Sequence, residues 1–250
     1  GKQLFISMLP NPSHLETVAP VALGFAKARI LKVHKQNFDK LLPIVIHGDA
    51  AISAQGIAYE TAQMSQLDGY GVGGTLHFVL NNQVGFTTNY TEGRSSTYST
   101  DIAKVTQSPV FHVNADDPES LILAVQLAIE FRQTFHRDVY IDILGYRKYG
   151  HNEGDEPRFT QPTLYKLISN HKNVRQLYFE KLIQENASIE QGLREIENQY
   201  NQQLQQEFEK AQQKPVVPIK HFLNDEWKNY RHASNKDFEQ PVKTTFPSEE

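Results

Sequence analysis

The sequence has no cysteine among its 250 residues. Disulfide bonds, thiolate metal sites and a cysteine nucleophile are therefore excluded for this chain. Charge of one sign is not in excess either, since 25 basic and 29 acidic residues are interspersed and the formal net charge is -4. This balance gives no indication of nucleic-acid binding or of a polybasic membrane surface.

Long apolar runs are also missing. No segment reaches the roughly 18 apolar residues of a membrane-spanning helix, and the opening stretch GKQLFISMLPNPSH lacks the basic-then-apolar order of a signal peptide. The chain opens on a strand-like QLFISML and has no methionine at its first position, so we expect a piece of a longer protein. With 39% hydrophobic and 22% charged residues, its composition is that of a soluble protein with one core and an appendage.

Two common phosphate-binding signatures are absent. No Gly-x-Gly-x-x-Gly follows a predicted strand, which argues against a nicotinamide-dinucleotide domain. No glycine-rich loop ends in Gly-Lys-Ser or Gly-Lys-Thr, which argues against a phosphate-loop nucleotidase.

What is present is an alternation of apolar runs of strand length with helical patterns. Strands are predicted at residues 4–9, 42–47, 75–81, 110–114 and 139–146, and helices at 17–35, 50–67 and 118–135. Repeated strand-helix-strand units predict an α/β fold: an open, mostly parallel sheet with helices on both faces. In such sheets ligands bind beyond the carboxyl ends of the strands.

The character of the chain changes near residue 160. An apolar stripe at helical spacing predicts a long amphipathic helical extension; its members are Ile189, Leu193, Ile196, Tyr200 and Leu204. Ser188 and Gln191 have the spacing of a capping box at its start. The extension serves either as a scaffold packed on the main domain or a neighbouring subunit, or as a docking helix for a partner. We therefore predict a main domain at 1–159, a helical extension at 160–214 and a proline-containing linker toward a further domain at 215–250.

A single carboxylate follows the second predicted strand. Asp49 stands between Gly48 and a helix whose first turn contains Ala50 and Ala51. The free N–H groups of a first turn suit an anion such as a diphosphate, but a neighbouring carboxylate would repel that anion. The conflict disappears if Asp49 holds Mg²⁺, which bridges protein and phosphate oxygens. Taken alone, a Gly-Asp turn is equally the ordinary cap of a helix.

The next strand end supplies neutral oxygen atoms. Asn81 and Asn82 follow an apolar strand and are succeeded by Gln83, Val84 and Gly85. An asparagine amide oxygen and a backbone carbonyl are suitable magnesium ligands. One helix and one strand separate Asp49 from Asn82, so we expect the two residues on neighbouring strand ends.

These motifs carry a family resemblance. The Gly48-Asp49-Ala50 turn followed by Asn82 resembles the thiamine-diphosphate signature. The segments NPSHLE, IHGDAAISAQGIAYET, VLNNQVGFTT, FHVNADDPES and YRKYGHNEGDEP together resemble the dehydrogenase component of the 2-oxoglutarate dehydrogenase complex, densely over residues 4–168. The resemblance implies a thiamine-diphosphate-binding fold with thiamine diphosphate and Mg²⁺ as cofactors.

The resemblance also implies roles for individual residues. Asp49, Asn82 and the carbonyl of Val84 would ligate Mg²⁺, and the N–H groups of Ala50 and Ala51 would face the diphosphate. His151, in the loop GHNEGDEPRFT after the last strand, would contact the diphosphate and line the active site. Some relatives carry a second histidine where this chain has Tyr149, so no second histidine role is transferred. The plain alternative for His151 is a solvated turn.

His14 would lie near the cofactor and substrate. The same NPSHLE segment has a plain interpretation, in which Ser13 and Glu16 form a capping box of a short helix before Pro20 starts the next. Both interpretations stay open at this point.

Three further features are less specific. His47 either reaches the crevice or is a buried histidine that orients the turn. The segment TTNYTEGRSSTYSTDIAK is expected to be a long exposed loop after the metal site. Asp116 and Asp117 are expected mainly to cap the following helix.

The implied reaction is oxidative decarboxylation of 2-oxoglutarate, with transfer of the succinyl group to a lipoyl-bearing dihydrolipoyl succinyltransferase. The full-length protein is expected to be a homodimer, in the bacterial cytoplasm or, in a eukaryote, the mitochondrial matrix. The isolated chain is expected to be inactive, because the activating glutamate of this superfamily comes from another domain. The alternatives are another thiamine-diphosphate 2-oxo-acid dehydrogenase or decarboxylase, and a non-catalytic assembly module of the complex.

Overall fold

The computed structural model describes residues 3–213, 223–239 and 241. The chain divides into two compact units. The larger unit, Asn11–Leu204, contains the sheets and most of the helices. The smaller unit comprises Gly1–Pro10 and Gln205–Glu250.

The principal sheet of the larger unit is parallel. Its strands are β1 (Ile44–Gly48), β2 (Leu76–Asn81), β5 (Val110–Asn114) and β6 (Val139–Leu144), and a separate antiparallel pair consists of β3 (Val84–Gly85) and β4 (Thr88–Asn89). The four parallel strands lie in the order β1-β2-β6-β5. The predicted α/β class is confirmed, as are the four predicted strands from residue 42 onward.

Helices fill the connections between the strands. In the larger unit they are α1 (Val18–Lys32), α2 (Asp49–Ala54), α3 (Gly56–Met64), α4 (Tyr90–Gly93), α5 (Ile102–Val105), α6 (Pro118–Phe135), α7 (Pro162–Asn170), α8 (Val174–Glu185) and the first part of α9 (Glu190–Gln213). The single helix predicted at 50–67 is wrong, because Gln55 takes an extended backbone (φ -79°, ψ 121°) that separates α2 from α3. None of the helices in the described part of the chain has the length and apolarity that a membrane crossing requires.

Each face of the sheet carries an apolar cluster, while Ile44 and Ile46 of β1 are 53% and 66% exposed. Successive residues of a strand point to opposite faces, so Val79 and Tyr140 belong to one cluster while Leu76, Val139 and Ile141 belong to the other. The first face is covered by residues of α2, α3 and α5, and the second mainly by α6. Helices on both faces explain why these strands are almost continuously apolar.

The cap of α6 agrees with the sequence. Asp117 accepts a hydrogen bond from the backbone N–H of Ser120 at 3.1 Å, and Pro118 occupies the first turn. Asp116 instead lies 2.7 Å from the ring of His171. The capping role expected of this pair is therefore confirmed for Asp117.

Two expectations for the amino-terminal part are wrong. Residues 3–10 form no strand, and Leu4, Phe5, Ile6 and Met8 are 85–88% exposed. An apolar run of strand length becomes a strand only where a neighbouring strand supplies its hydrogen bonds. Ser13 and Glu16 do not form a capping box either, because Glu16 has a left-handed backbone (φ 67°) and its carboxylate contacts His47.

Pro20 does not start a separate helix. It lies in the first turn of α1, which begins two residues earlier at Val18. Residues 13–17 form turns and bends instead of a short helix.

The helical extension is made of α7, α8 and α9. Its apolar stripe is exposed, since Ile196, Tyr200 and Leu204 are 63%, 59% and 52% accessible. The capping box expected at Ser188 is wrong: both the hydroxyl and the N–H of Ser188 donate to the Asn186 side chain, and Gln191 donates to Glu195.

The smaller unit contains the end of α9 and, within the expected linker, a short helix α10 (Asn224–Trp227) and a 3₁₀ turn, Asn235–Phe238. The Asp237 carboxylate joins Arg231 and Ser234, which stabilises this turn. Residues 214–222, 240 and 242–250, which the predicted linker also includes, lie outside the described residues.

Candidate functional site

The carboxyl end of β1 runs directly into a helix. Gly48 is the last residue of β1 and the N-cap of α2, and its backbone is extended (φ -84°, ψ 147°). Because glycine has no side chain to cap the helix, no side-chain hydrogen bond covers the first N–H groups of α2. Asp49 is the first helical residue and is only 2% exposed. A carboxylate is therefore buried at the end of the sheet where ligands bind in open α/β folds.

Arg94 is the cationic partner of Asp49. The Nη1 atom of Arg94 lies 3.2 Å from Oδ2 of Asp49, and both side chains are buried. The guanidinium also lies over the ring of Tyr90, 5.2 Å from its centroid. Burial raises the pKa of the Asp49 carboxyl above its ordinary value, whereas the Arg94 charge and hydrogen bond and the backbone amide of Asn82 act in the opposite direction.

The end of β2 lies beside Asp49. Asn81 is the last residue of β2, is buried and donates to the Asp142 carboxylate at 3.0 Å, so it is committed to the sheet. Asn82 follows, and its side-chain oxygen accepts the N–H of Val84 at 3.1 Å. β1 and β2 are parallel neighbours in which Gly48 pairs with Leu80, so Asp49 and Asn82 follow adjacent strand ends. The expected proximity of Asp49 and Asn82 is thus a feature of the fold.

The β3–β4 pair packs closely on α2. A Cβ atom at Gly85 would lie 2.8 Å from the Cβ of Ala50, so only glycine fits there. Gln83, directly before β3, and Phe86, in the turn between β3 and β4, have left-handed backbones (φ 65° and 54°). This packing brings Val84 and its carbonyl to the same edge as the start of α2.

This edge fits a hard cation beside an anion. It combines a buried carboxylate, an amide side chain, a backbone carbonyl and uncapped N–H groups, and it already holds a positive charge in Arg94. No group of three or more histidine, cysteine or acidic side chains suited to a metal occurs in the described part of the chain. Any metal held here would therefore depend on Asp49 and on neutral oxygen atoms.

His151 lies beside the β3–β4 pair. Its ring is 4.7 Å from that of Phe86, centroid to centroid. The backbone N–H of His151 donates to the Asp155 carboxylate at 2.9 Å. Arg147 fixes the same loop by donating to the carbonyl of Phe86 at 2.9 Å. The His151 side chain is exposed and belongs to the same edge of the sheet as Val84.

His14 is placed differently. It is exposed, and its carbonyl accepts the hydroxyl of Thr17 at 2.9 Å. Within the described residues, no hydrogen bond or ion pair joins the His14 side chain to Asp49, Asn82 or His151. The structure therefore brings the segments of Asp49, Asn82 and Val84 together, with His151 beside Phe86, while the role expected of His14 stays a prediction.

A buried polar chain beside the site was missed in the sequence. Nδ1 of His47 lies 2.6 Å from the Glu16 carboxylate, and Nε2 of His47 lies 2.9 Å from Nδ1 of His77. Nε2 of His77 lies 3.5 Å from Oδ2 of Asp138, and the His77 ring stacks on that of Tyr140 with the centroids 4.3 Å apart. Burial lowers the pKa of His47, against the hydrogen bond to Glu16, which raises it. His47 is thus buried and hydrogen-bonded, as the second of its two expected roles requires, and its orienting of the turn stays a prediction.

The sequences of β1 and β2 contained a signal for this buried row of polar side chains. Val45 pairs with His77, and His47 pairs with Val79. Both histidines therefore occupy buried positions on one face of adjacent strands, where the pattern otherwise calls for apolar residues.

The segment after β4 is not the long exposed loop that was expected. It contains α4, a 3₁₀ turn at Ser99–Asp101 and α5, and its buried residues include Ser99, Thr100, Ile102 and Ala103. The apolar Ile102 and Ala103 explain the error, because they pack into the cluster with Ile52. Arg94 lies in this segment, and nothing in its local sequence distinguished it from a solvated arginine.

Comparison with known proteins agrees with the geometry. Residues 6–220 match the family described as "Dehydrogenase E1 component". The chain is 45% identical over 257 aligned residues to proteins named "2-oxoglutarate dehydrogenase E1 component" from Brucella canis, Brucella suis and Brucella abortus. The alignment covers 99% of this chain and 25% of each relative, so the chain spans about a quarter of their length.

Proposed function

The chain belongs to the dehydrogenase E1 component family, and on that premise we propose that it supplies the diphosphate- and Mg²⁺-binding part of a 2-oxoglutarate dehydrogenase. The family depends on thiamine diphosphate, with Mg²⁺ as the usual metal. The observation that carries the proposal is the buried Asp49 carboxylate at the carboxyl end of β1, beside the adjacent end of β2 that Asn82 follows.

Each proposed ligand role has a structural basis. Asp49 would supply the anionic magnesium ligand, and Asn82 and the Val84 carbonyl would supply neutral oxygen atoms. The N–H groups of Ala50 and Ala51 would face the diphosphate, because Gly48 leaves the start of α2 uncapped. The contact between Gly85 and Ala50 would hold the two halves of the site together.

The histidines would act on the diphosphate and substrate. His151 would contact the diphosphate from the loop that Arg147 fixes on Phe86. His14 would approach the substrate from the turns at residues 13–17, which Glu16 ties to His47 just before the Gly48-Asp49 turn.

When bound, thiamine diphosphate supplies the nucleophilic carbon that permits decarboxylation of a 2-oxo acid. The residues of this chain would anchor the cofactor and hold its metal at the buried Asp49 carboxylate. In the full-length protein the succinyl group would pass to the disulfide of a lipoyl-bearing dihydrolipoyl succinyltransferase. We further propose a homodimer located in the bacterial cytoplasm, or in the mitochondrial matrix if the source is a eukaryote. The division at residues 159 and 214 stays a prediction.

The test is a substrate profile of the full-length protein with Mg²⁺ and thiamine diphosphate. Carbon dioxide release and succinylation of a lipoyl domain are expected with 2-oxoglutarate, and much less turnover with pyruvate or branched 2-oxo acids. A preference for one of those acids would identify another dehydrogenase of the same cofactor class.

A second role has one observation in its favour. The exposed side chains of Ile196, Tyr200 and Leu204 form an apolar stripe of the kind that docks on a partner. An assembly module would retain a succinyltransferase partner through this stripe without any cofactor. Loss of that partner in a triple glutamine variant, with cofactor binding intact, would support this role.

A further inference from the structure

The Asp49 carboxylate already has a positive partner in this structure. The guanidinium of Arg94 contacts Oδ2 of Asp49 at 3.2 Å, with only 8% and 3% of the two side chains exposed. If the proposed function is right, this is the carboxylate that Mg²⁺ must ligate. The site therefore contains an internal cation before any metal arrives.

The ion pair between Arg94 and Asp49 is weaker than a typical arginine-carboxylate pair. It is a single contact through Nη1, whereas the strong arginine-carboxylate pairs are bidentate. The Nε atom of Arg94 is buried and has no hydrogen-bond partner. A buried donor without a partner is costly, so the present position of Arg94 is not its most favourable one.

The segment around Arg94 is also incompletely satisfied. Ser99 and Thr100 are only 1% exposed, and their buried hydroxyls have no hydrogen-bond partner. Gly93 immediately precedes Arg94, and a Cβ atom there would meet no neighbour closer than 3.9 Å. The buried polar groups around the Arg94–Asp49 pair are therefore incompletely satisfied, although the 3₁₀ turn at Ser99–Asp101 packs on α2.

Mg²⁺ and the guanidinium cannot share this carboxylate at low cost. Magnesium requires octahedral oxygen coordination at about 2.0–2.1 Å, and two cations at one buried carboxylate repel each other strongly. We propose that Arg94 is an internal counter-ion that neutralises Asp49 until Mg²⁺ binds, and that its guanidinium then leaves the carboxylate while the 3₁₀ turn at Ser99–Asp101 stays packed on α2. Magnesium affinity is then reduced by the fraction of molecules in which Arg94 occupies Asp49.

The test is calorimetric titration of the full-length protein with Mg²⁺ at saturating thiamine diphosphate. Arg94→Gln removes the competing charge and is expected to bind Mg²⁺ about tenfold more tightly than the wild type. The same variant is expected to melt at a lower temperature without cofactor, because Asp49 loses its partner. Arg175→Gln is the control with the same charge change, since Arg175 pairs with Glu197 on the exposed extension; it should leave the affinity unchanged.

The combination of tighter binding and lower cofactor-free stability separates the proposal from its alternatives. A merely structural arginine would lower both quantities, and an arginine that binds the cofactor would lower the affinity; either result overturns the proposal. Tyr90→Leu is a second variant that loosens Arg94 without changing charge, and about threefold tighter Mg²⁺ binding is expected. Failure of wild type and variants alike to bind Mg²⁺ would overturn the proposed function as well, whereas wild-type binding without tightening overturns the Arg94 proposal alone.

Discussion

Two buried arginines lie at opposite ends of the principal sheet and use their guanidinium groups differently. Arg132, in the last turn of α6, is completely buried and donates to backbone carbonyls of segments that lead into the strands. The carbonyls belong to Phe38 at 3.0 Å, Leu41 at 2.8 Å, Val72 at 3.2 Å and Gly74 at 3.0 Å. Arg94, at the carboxyl end, makes one ion pair and leaves its Nε without a partner.

The difference separates a structural end of the sheet from a functional one. At the amino end every guanidinium nitrogen of Arg132 is bound, and the neighbouring Gly74 has a left-handed backbone (φ 85°) that brings it against Arg137. Such contacts stabilise the fold and leave no guanidinium nitrogen of Arg132 free to bind a ligand. At the carboxyl end the Arg94 guanidinium is also buried but makes a single ion pair, with the carboxylate proposed for the metal.

The largest effect on stability is expected at Arg132. Arg132→Leu leaves four backbone carbonyls without their donor and should lower the free energy of unfolding by about 3–5 kcal/mol. Arg94→Leu should lower it by less than about 2 kcal/mol, because only one ion pair is lost and Asp49 can take up a proton. Urea denaturation of both variants measures the difference, and equal losses would remove the distinction between the two ends.

A smaller effect is expected at Gly85. The added methyl group of Gly85→Ala meets Ala50 and should lower the free energy of unfolding by about 1–3 kcal/mol. It should also weaken Mg²⁺ binding, because it pushes Val84 away from the start of α2. Gly24→Ala is the matched control, since nothing lies within 4 Å of a Cβ there. Calorimetry and thermal melting check both quantities, and unchanged Mg²⁺ affinity would separate β3 from the site.

The smallest effect concerns the pH dependence of stability. Burial lowers the pKa of His47 below its ordinary value of 6.5, so the unfolded chain takes up a proton at a pH where the folded chain does not. The stability that neutral His47 contributes is therefore lost as the pH falls from about 7 toward 5, by less than about 1 kcal/mol. His47→Gln should flatten this slope in urea denaturation series, and the exposed control His14→Gln should not. An unaltered slope in the His47 variant would count against the pKa shift.

The sequence was sufficient for the sheet and for one half of the site. Apolar runs with helical patterns between them determine parallel strands, and the Gly-Asp turn and the Asn pair mark two strand ends that adjoin in such a sheet. The strand predicted at residues 4–9 failed because hydrophobicity alone does not supply a pairing neighbour. The helix predicted at 50–67 failed because the break at Gln55 is marked only by the following Gly56, a residue that helices also tolerate in their interior.

The remaining parts of the site depend on contacts between distant segments. Arg94 joins Asp49 across 45 positions, and Glu16 joins His47 across 31. Neither pair has a local periodicity or a fixed spacing that a single sequence reveals. The one available signal was that His47 and His77 occupy positions on the same buried face of neighbouring strands. This signal predicts that both side chains are buried, but it does not predict which side chains they contact.

The central claim is tested most directly by titrating the full-length protein with Mg²⁺ and thiamine diphosphate in a calorimeter. Asp49→Ala removes the only anionic ligand proposed, and its Mg²⁺-dependent cofactor affinity should fall by more than about 100-fold. Asp39→Ala is the control, because that carboxylate is half exposed and pairs with His136. Unchanged cofactor affinity in the Asp49 variant would contradict the assignment of the metal to this edge of the sheet.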